Sequence, residues 1–428
     1  MGMSGTGNSS RDQPDAPWQP GRGRGAASRL RAGLRRHGIA PRPRELRRML
    51  RAANVLLTEG NNIALFPDGR SGLEAMLDAI CGARRSIHLE SYILRSDETG
   101  RRFFAALSER ARAGVEVRVL FDSVGSLGLD QGALSELRDA PADVIPFNPL
   151  TRFYPVWAPR RRDHRKILVV DGEVGFTGGL NIGDEYFFGV EPLKGQGRAP
   201  WRDAHVRVEG PVVAMLEAVF LESWFRADGP DRPWMGLPER RAISAGAETA
   251  GILADGPTYH RRRVRDLLIG ALDRSERRAR FATPYFIPGR RLRDALASAA
   301  SRGVEVEILI AGYSDHPFIR WAAYARLPAL LRCGVRVYEY DRSMMHAKIA
   351  VFDESWAVLG TSNLDRQSLQ HSYEVNLVAE GGELPGSLSR LLDKDVSESR
   401  RITEQTLGRR PWYRWLRDRL AAAVLKRL

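Results

Sequence analysis

A set of side chains that could bind and attack a phosphate group occurs twice in this sequence of 428 residues. Each set has a histidine, then a lysine at +2, an aspartate at +7, a glycine at +14 and an asparagine at +17. The two sets are His164, Lys166, Asp171, Gly178 and Asn181, and His346, Lys348, Asp353, Gly360 and Asn363. An imidazole can attack phosphorus or move protons, and ammonium and carboxamide groups can hold phosphoryl oxygens. The repeat therefore predicts chemistry on a phosphate ester.

The spacing indicates how each set is placed. A histidine and a lysine two residues apart on a β-strand point to the same face. The dipeptide Asp171-Gly172 favours a hairpin turn, so the returning strand brings Asn181 beside Lys166, and Asn363 comes to lie beside Lys348 in the same way. Two such halves facing each other across a pseudo-twofold axis would place their imidazoles on opposite sides of one phosphorus. In-line displacement requires that arrangement.

The helices and strands that would position these sets also occur twice in the same order. The patterns predict helices at 72–84, 101–113, 263–277 and 292–302, and strands at 86–94, 115–122, 279–287 and 304–311. The segments GVEVRVL at 114–120 and GVEVEIL at 303–309 nearly coincide. We infer an internal duplication, with its boundary in the Pro- and Gly-rich stretch 227–251.

This order predicts an α/β fold with two duplicated domains, each a mixed β-sheet flanked by helices. A pseudo-twofold axis would relate them, with the active site at their interface and complete within one chain. The predicted organisation is a disordered basic tail at 1–40, a first domain at 41–230, a second domain at 231–400 and a basic amphipathic helix at 401–428. A further basic amphipathic helix is predicted over 43–57.

The net charge of +14 is concentrated at the two ends of the chain. Residues 1–50 carry +8 and residues 400–428 carry +7, which leaves −1 for the residues between them. A nucleic-acid channel would place the positive charge in the body of the protein, so we predict no nucleic-acid partner. Basic ends instead suit an anionic membrane surface.

Composition excludes several other classes of protein. No uncharged apolar run approaches the roughly 18 residues of a spanning helix, and the first 28 residues lack the apolar block of a secretory signal. The two cysteines, Cys81 and Cys333, provide neither a disulfide framework nor a CxxC metal site. No spacing of His, Asp or Glu suits Zn²⁺ or Ca²⁺, so neither a metal nor another cofactor is predicted.

The doubled H-x-K-x4-D pattern resembles the signature of the phospholipase D superfamily, over residues 59–428. Three flanking segments resemble bacterial cardiolipin synthases: GGLNIGDEY at 178–186, WRDAHVRVEGP at 201–211 and RPWYRW at 410–415. Many members of that group begin with two membrane-spanning helices, and this sequence is similar to the shorter subtype. The first set departs from the superfamily pattern by having Gly179 where Ser or Thr is usual, whereas the second keeps Thr361.

The resemblance implies ping-pong transfer of a phosphatidyl group without a metal ion. It implies phosphatidylglycerol as the substrate, with cardiolipin and glycerol as products. His164 would attack the phosphodiester and form a phosphohistidine, while His346 would act as general acid and then as general base. The two sets are nearly identical, so the reverse assignment of the histidines stays open.

The resemblance also suggests roles for the other residues of the site. Those expected to hold the phosphate oxygens are Lys166, Lys348, Asn181, Asn363 and Thr361. A carboxylate should orient each imidazole, with Glu374 expected to serve the second half and Asp203 the candidate in the first. Asp171 and Asp353 complete the two catalytic motifs, although their position at turns favours a structural role.

Two segments favour contact with lipid. Residues 150–163 combine three aromatic residues with four arginines just before the first set, which suits the headgroup region of a bilayer. Near the C-terminus apolar residues recur every four positions, at Trp412, Leu416, Leu420, Val424 and Leu428. That period fits a helix lying in a bilayer surface, with docking against the protein core as the alternative.

Three alternative functions stay open at this point. One is a phospholipase D or another phosphatidyltransferase with water or a different alcohol as acceptor. Another is a nuclease of the same superfamily, although the neutral body of the chain is evidence against it. The third is a non-catalytic lipid-binding scaffold, although the two intact motifs are evidence against that. The leading expectation is a cardiolipin synthase bound peripherally at the cytoplasmic face of the bacterial cell membrane.

Overall fold

The computed structural model describes residues 55–149, 161–191, 199–229, 244–258 and 262–427. All of them belong to the compact unit that spans Arg42–Leu428. The tail predicted at 1–40 and most of the aromatic loop at 150–163 lie outside the described residues. So does most of the helix predicted at 43–57, whose described end, residues 55–57, is not helical.

Fifteen β-strands in the described residues form one mixed sheet. In the first half of the described chain (55–229) they are β1 (Thr58–Phe66), β2 (Ser86–Ser91), β3 (Glu116–Asp122), β4 (Ala142–Phe147), β5 (Ile167–Val170), β6 (Val174–Gly178) and β7 (His205–Glu209). In the second half (244–427) they are β8 (Glu248–Asp255), β9 (Arg278–Thr283), β10 (Glu305–Ala311), β11 (Arg336–Tyr340), β12 (Ile349–Phe352), β13 (Trp356–Gly360), β14 (Glu374–Glu380) and β15 (Ser399–Ile402).

The helices of the described residues divide between the same two halves. The first half contains α1 (Gly69–Cys81), α2 (Glu98–Arg112), α3 (Gln131–Asp139), α4 (Asp184–Phe187) and α5 (Val212–Arg226). The second half contains α6 (Arg263–Arg274), α7 (Arg290–Ser301), α8 (Pro317–Tyr324), α9 (Leu327–Arg332), α10 (Arg366–Gln370), α11 (Leu384–Ser397), α12 (Glu404–Gly408) and α13 (Trp412–Arg427). No described helix has the length and apolar composition needed to span a membrane.

The order of strands in the sheet is symmetric about its centre, where β1 and β8 pair antiparallel. Outward from β1 the order is β7-β6-β5-β2-β3-β4, and outward from β8 it is β14-β13-β12-β9-β10-β11. β15 extends the second edge beyond β11. Each strand of the first half therefore has an equivalent in the second. The predicted duplicated α/β fold is confirmed.

The elements predicted before each set of site residues occur within a few residues of their expected bounds. α2 begins where the Asp97 side chain accepts a hydrogen bond from the backbone N–H of Gly100, as a helix N-cap does. α2 and α7 are each followed by a glycine with positive φ, +89° at Gly114 and +93° at Gly303. That conformation suits glycine and lets the chain turn from the helix directly into β3 or β10.

Each half buries a hydrophobic core of its own. Leu73 of α1 and Phe103 of α2 belong to the core of the first half, and Leu296 of α7 and Val306 of β10 belong to that of the second. β15 crosses the predicted domain boundary at residue 400 and pairs with β11. The domain boundaries at 230 and 400 stay predictions.

Candidate active site

The backbone that carries each histidine is hydrogen-bonded to the opposite half of the molecule. The N–H of His164 donates to the carbonyl of Tyr373 at 2.9 Å, and the N–H of His346 donates to the carbonyl of Arg202 at 2.7 Å. In both cases the acceptor is the residue just before a buried carboxylate, Glu374 or Asp203. These bonds fix each imidazole beside a carboxylate of the other half.

The resulting histidine–carboxylate pairs are exchanged between the halves. Nδ1 of His164 lies 3.0 Å from Oε2 of Glu374, and Nδ1 of His346 lies 2.6 Å from Oδ2 of Asp203. The pairing expected within each half is therefore wrong, although both carboxylates do orient an imidazole. With Nδ1 engaged in this way, Nε2 is the ring nitrogen that can react with phosphorus or carry a proton.

The sheet register shows that the two carboxylates are equivalent. Gly178 at the end of β6 pairs with His205, and Gly360 at the end of β13 pairs with Asn376. Asp203 and Glu374 each lie two residues before those partners, so the duplication places them at the same position. The side chain of Arg202 further holds this segment to the second half through a bidentate ion pair with Asp395, with both distances at 2.7 Å.

The two lysines bring both halves into one electrostatic cluster. Nζ of Lys166 donates to the carbonyl of His164 at 2.9 Å, and Nζ of Lys348 donates to the carbonyl of His346. Burial, and then the charge of Lys348, lowers the pKa of Lys166 to about 7. Burial lowers the pKa of Lys348 to about 8, against the opposing effect of Asp203 and Glu374. A bound phosphodiester would relieve the repulsion between the two ammonium groups.

Both imidazoles are neutral in this arrangement. Burial, followed by the charges of Lys166 and Lys348, lowers the pKa of His164 well below its ordinary value. Burial and Lys348 lower the pKa of His346 to about 4. Burial alone would raise the pKa of Asp203, but the neighbouring His346 and Lys348 lower it overall. A neutral imidazole that donates from Nδ1 to a carboxylate keeps a lone pair on Nε2, as a nucleophile or base requires.

The two asparagines differ in what they contact. Asn181 accepts from the N–H of Ile93 at 3.1 Å and donates to the Tyr186 hydroxyl at 2.7 Å. Its carboxamide thus positions a tyrosine whose hydroxyl lies 3.4 Å from Nδ1 of His346. No donor among the described residues reaches the buried Oδ1 of Asn363. The carboxamide of Asn363 is therefore the better placed to turn toward a phosphate oxygen.

Thr361 contacts a carboxylate, which corrects its expected role as a phosphate ligand. Its hydroxyl donates to Oε2 of Glu374 and accepts from the N–H of Val375 at 3.0 Å. Ser368 donates to the other oxygen of Glu374. Burial raises the pKa of Glu374 to about 7, and these hydrogen bonds oppose the rise. Thr361 therefore orients the carboxylate that orients His164.

Gly179, which departs from the superfamily pattern, is explained by the same geometry. A Cβ atom at this position would lie 1.9 Å from Oδ1 of Asp203. The first half thus places a carboxylate oxygen in the space that the second half gives to the side chain of Thr361. A side chain at 179 and the observed position of Asp203 exclude each other.

Replacement of Gly179 by threonine should therefore inactivate the enzyme. We expect kcat to fall about 10²-fold or more because Asp203 can no longer orient His346, and the free energy of unfolding to fall by about 1–3 kcal/mol. Gly289→Ala is the matched control, since a Cβ there meets no atom within 4 Å. Full activity of Gly179→Thr would show that Asp203 need not occupy this place.

Asp171 and Asp353 lie outside the catalytic cluster, which corrects their inclusion among the catalytic residues. The carboxylate of Asp171 accepts from the backbone N–H groups of Arg84, Arg85 and Ser86, at 2.9, 2.6 and 2.9 Å. Asp353 accepts from three backbone N–H groups in the same way, those of residues 276–278. Each aspartate ties its hairpin turn to the start of a neighbouring strand, as their position at turns had suggested.

Replacement of Asp171 or Asp353 by alanine should reduce stability more than chemistry. Three backbone donors lose their acceptor in each variant, so we expect the free energy of unfolding to fall by about 1–3 kcal/mol. The kcat of the remaining folded enzyme should stay within about threefold of wild type, since neither residue touches an imidazole. Urea unfolding and active-site-normalised kinetics measure the two effects. A stable but inactive variant would restore a catalytic role for the aspartate.

Aromatic residues that the motif pattern did not single out pack against both histidines. The ring of Tyr92 lies 4.9 Å from that of His164, and the rings of Tyr186 and Trp201 lie 5.6 and 5.4 Å from that of His346. Tyr186 and Trp201 belong to the flanking segments that resemble cardiolipin synthases. Within the described ranges no group of three or more His, Cys, Asp or Glu side chains is arranged to hold a metal ion.

Comparison with protein families and curated proteins gives consistent matches. Residues 76–190 and 268–396 match a family described as cardiolipin synthase, PLD-like domain. A probable cardiolipin synthase of Bacillus subtilis (strain 168) is 33% identical over 357 residues, covering 83% of this chain and 70% of the relative. The major cardiolipin synthase of the same organism is 33% identical over 367 residues, covering 85% and 74%. Both sets of site residues lie inside the matched segments.

Solved structures share the fold at low sequence identity. The phosphatidylserine synthase of Haemophilus influenzae Rd KW20 has a TM-score of 0.68 and 13% identity, covering 89% of this chain and 98% of that one. The polyphosphate kinase of Porphyromonas gingivalis has a TM-score of 0.54 and 14% identity, covering 81% and 49%. These likenesses concern the arrangement of the chain alone.

Proposed function

The chain belongs to the cardiolipin synthase family of phospholipase D-like phosphatidyltransferases, and from this premise we propose how it acts. One phosphatidylglycerol donates its phosphatidyl group to a terminal hydroxyl of a second, and glycerol is released. The observation that carries this proposal is the exchange of carboxylates, because it brings two oriented imidazoles and two lysines from opposite halves into one cluster.

The first step forms a covalent intermediate. Nε2 of His164 attacks the phosphorus of the donor lipid while the bond from phosphorus to the glycerol oxygen breaks. The negative charge of the bound phosphodiester raises the pKa of His346, which enters this step as an imidazolium with a proton on Nε2. It gives that proton to the glycerol oxygen, so glycerol leaves as a neutral alcohol. The products of this step are glycerol and a phosphatidyl group held on His164 as a phosphohistidine.

The second step reverses the roles of the groups. His346, now neutral, takes the proton from the terminal hydroxyl of the second phosphatidylglycerol. The resulting oxygen attacks phosphorus, the phosphorus–nitrogen bond breaks and His164 is regenerated. Lys166 and Lys348, with Asn363, hold the non-bridging oxygens through both steps, where charge develops in the transition states.

The partner surface in this proposal is an anionic membrane at the cytoplasmic face of the cell. The charge of +8 over residues 1–50 and +7 over residues 400–428 would attract both ends of the chain to such a surface. Both halves of the site come from one chain, and the active site proposed here is therefore complete in a monomer.

Incubation of the purified protein with labelled phosphatidylglycerol, with and without EDTA, tests the function. Equal amounts of cardiolipin and glycerol, unaffected by EDTA, support the proposal. Phosphatidic acid as the lone lipid product would identify a hydrolase that uses water as acceptor. Cleavage of single-stranded DNA with the lipid untouched would identify a nuclease. Either of these results would overturn the proposed function.

The two lysines predict an alkaline limb in the pH profile of the free enzyme. The ammonium form of Lys166 is lost as pH rises through about 7, and that of Lys348 through about 8. We therefore expect kcat/KM for an anionic phosphodiester to fall as pH rises from about 7 to about 9. A bound phosphate stabilises the ammonium forms, so kcat should fall only at higher pH. A kcat/KM that stays level to about pH 9 would contradict this use of the lysines.

A further inference from the structure

The C-terminal helix α13 is attached to the protein through one of two apolar faces. Its residues Ala421 and Ala422 are buried and pack against Ala322 of α8. Asp418 on the same face is also buried and forms ion pairs at 2.8 Å with Arg410 and Arg417. The two arginines in turn lie over aromatic rings of α8, Arg410 over Tyr324 at 4.2 Å and Arg417 over Trp321 at 4.4 Å. Small side chains and these cation–π contacts thus hold the helix on α8.

The opposite face of the helix is apolar and exposed. An α-helix turns by about 100° per residue, which places Trp412, Leu416, Leu420 and Val424 away from Ala421 and Ala422. These four outer side chains are exposed by 75%, 43%, 59% and 47%. Of the ten large apolar side chains that are exposed in the described part of the chain, six lie on this helix. We call the four residues the outer stripe.

The charge around the outer stripe indicates what covers it. Arg419 is exposed at the edge of the outer stripe, and Arg409 and Arg414 are exposed close to it in sequence, whereas Asp418 is buried in its ion pairs. A second copy of the helix would bring arginines against arginines, and the basic segment predicted at 43–57 would do the same. A nucleic acid would neutralise the arginines but would leave the leucines in water. An anionic bilayer satisfies both, since it offers headgroup phosphates at the depth of Trp and Arg and hydrocarbon below.

We propose that the outer stripe of α13 inserts into the surface of an anionic phospholipid bilayer while the inner face stays docked on α8. The helix does not have to leave the protein to bind, because the two faces point in different directions. This inference deepens the proposed function, on which it rests for the identity of the bilayer as the source of substrate.

The attachment to α8 links the membrane contact to the active site. The loop just before α8 carries Asp315, which accepts a hydrogen bond from the Tyr285 hydroxyl at 2.6 Å. Burial lowers the pKa of Lys348, and the negative charge of Asp315 is near enough to oppose that fall. A helix held on α8 would therefore hold this side of the catalytic cluster toward the bilayer.

Flotation with vesicles tests the proposal on the full chain. The variant Leu416→Ser/Leu420→Ser removes two leucines of the outer stripe and leaves the docked face intact. The matched control is Phe225→Ser, which removes an apolar side chain that is 50% exposed on α5. We expect the double variant to bind vesicles of phosphatidylglycerol and phosphatidylcholine roughly tenfold or more weakly than wild type. The control should bind as wild type does.

A second substrate separates failure of the contact from failure of the enzyme. With monodisperse short-chain phosphatidylglycerol, the double variant should keep wild-type turnover, which also shows that it is folded. With vesicles its turnover should fall in proportion to binding. Equal vesicle binding by wild type and double variant would overturn the proposal. So would a dimer that wild type forms and the double variant does not, because a second copy of the chain would then cover the outer stripe. Absence of turnover on both substrates by wild type would refute the proposed function and leave the vesicle-binding result to be judged separately.

Discussion

Alanine in place of His164 should reduce turnover of phosphatidylglycerol at least about 10⁴-fold, the largest effect expected for any single substitution in this protein. The imidazole is the attacking group in the proposed mechanism, so its loss removes the covalent route through a phosphohistidine. His346→Ala should also inactivate the enzyme with natural substrates, because the glycerol oxygen is a poor leaving group without a proton. Steady-state assays with labelled lipid measure both losses.

The two variants should differ when the leaving group needs no proton. With a nitrophenyl phosphodiester, His346→Ala should still release one equivalent of nitrophenolate per active site and hold the phosphoryl group on His164. His164→Ala should release none. The acid-labile, base-stable phosphohistidine can be trapped in the first variant by rapid quenching. His316→Ala, at a histidine whose side chain is 61% exposed, is the control with normal turnover. A burst in His164→Ala and none in His346→Ala would reverse the assignment of the two histidines.

Much of the fold could be predicted because the information is local and repeated. Alternating apolar residues define strands such as β3 and β10, and the glycines at 114 and 303 end the helices before them. The hairpin between β5 and β6 follows from Asp171-Gly172, which the structure places at the turn. Each of these features depends on neighbours in sequence, and the duplication supplies a second copy as a check.

The central pairing of β1 with β8 could not be predicted in the same way. It joins residues nearly two hundred positions apart, as in the pair Thr58 and Ala250. The hydrophobic pattern of a strand indicates whether one or both of its faces are buried, but it does not identify the strand that pairs with it. Because this pairing builds one continuous sheet, it also decides which surfaces of the two halves meet.

The exchange of carboxylates is invisible in the sequence for the same reason. The intervals from His164 to Asp203 and from His346 to Glu374 fall within each half, so reasoning from spacing favours pairs within a half. The backbone bonds from the two histidines to Tyr373 and Arg202 are contacts between halves, and no periodicity reports them. The roles of Thr361 and Gly179 could not be predicted from the sequence either, since they depend on the positions of the Glu374 and Asp203 carboxylates.

The exchange has a functional consequence. A histidine that finds its carboxylate only in the opposite half is oriented only when the two halves are packed together. The bidentate pair of Arg202 with Asp395 acts across the same interface, one residue away from Asp203. Assembly of the interface and completion of the catalytic groups are therefore one event, and a substitution that loosens the interface should impair both histidines.

Asparagine in place of Asp203 tests the exchange directly, and we expect it to reduce turnover of phosphatidylglycerol about 10³- to 10⁴-fold. Asn can donate to Nδ1 of His346 and so favour the tautomer that lacks the lone pair on Nε2. The loss falls on the general acid and base, so the burst with a nitrophenyl phosphodiester should remain. Glu374→Gln impairs His164 instead, so its burst should be slow or absent even though Glu374 lies in the second half of the chain.

Each variant should thus reproduce the phenotype of the histidine in the other half. Double variants sharpen the comparison: Asp203→Asn should add little to the loss in His346→Ala, because the two groups act as a unit, but should add further loss to Glu374→Gln. Asp395→Asn, which weakens the hold on Arg202 without touching an imidazole, serves to measure the cost of a looser interface. If carboxylates served the histidines of their own half, Asp203→Asn would abolish the burst and Glu374→Gln would keep it. That pattern would refute the exchanged pairs.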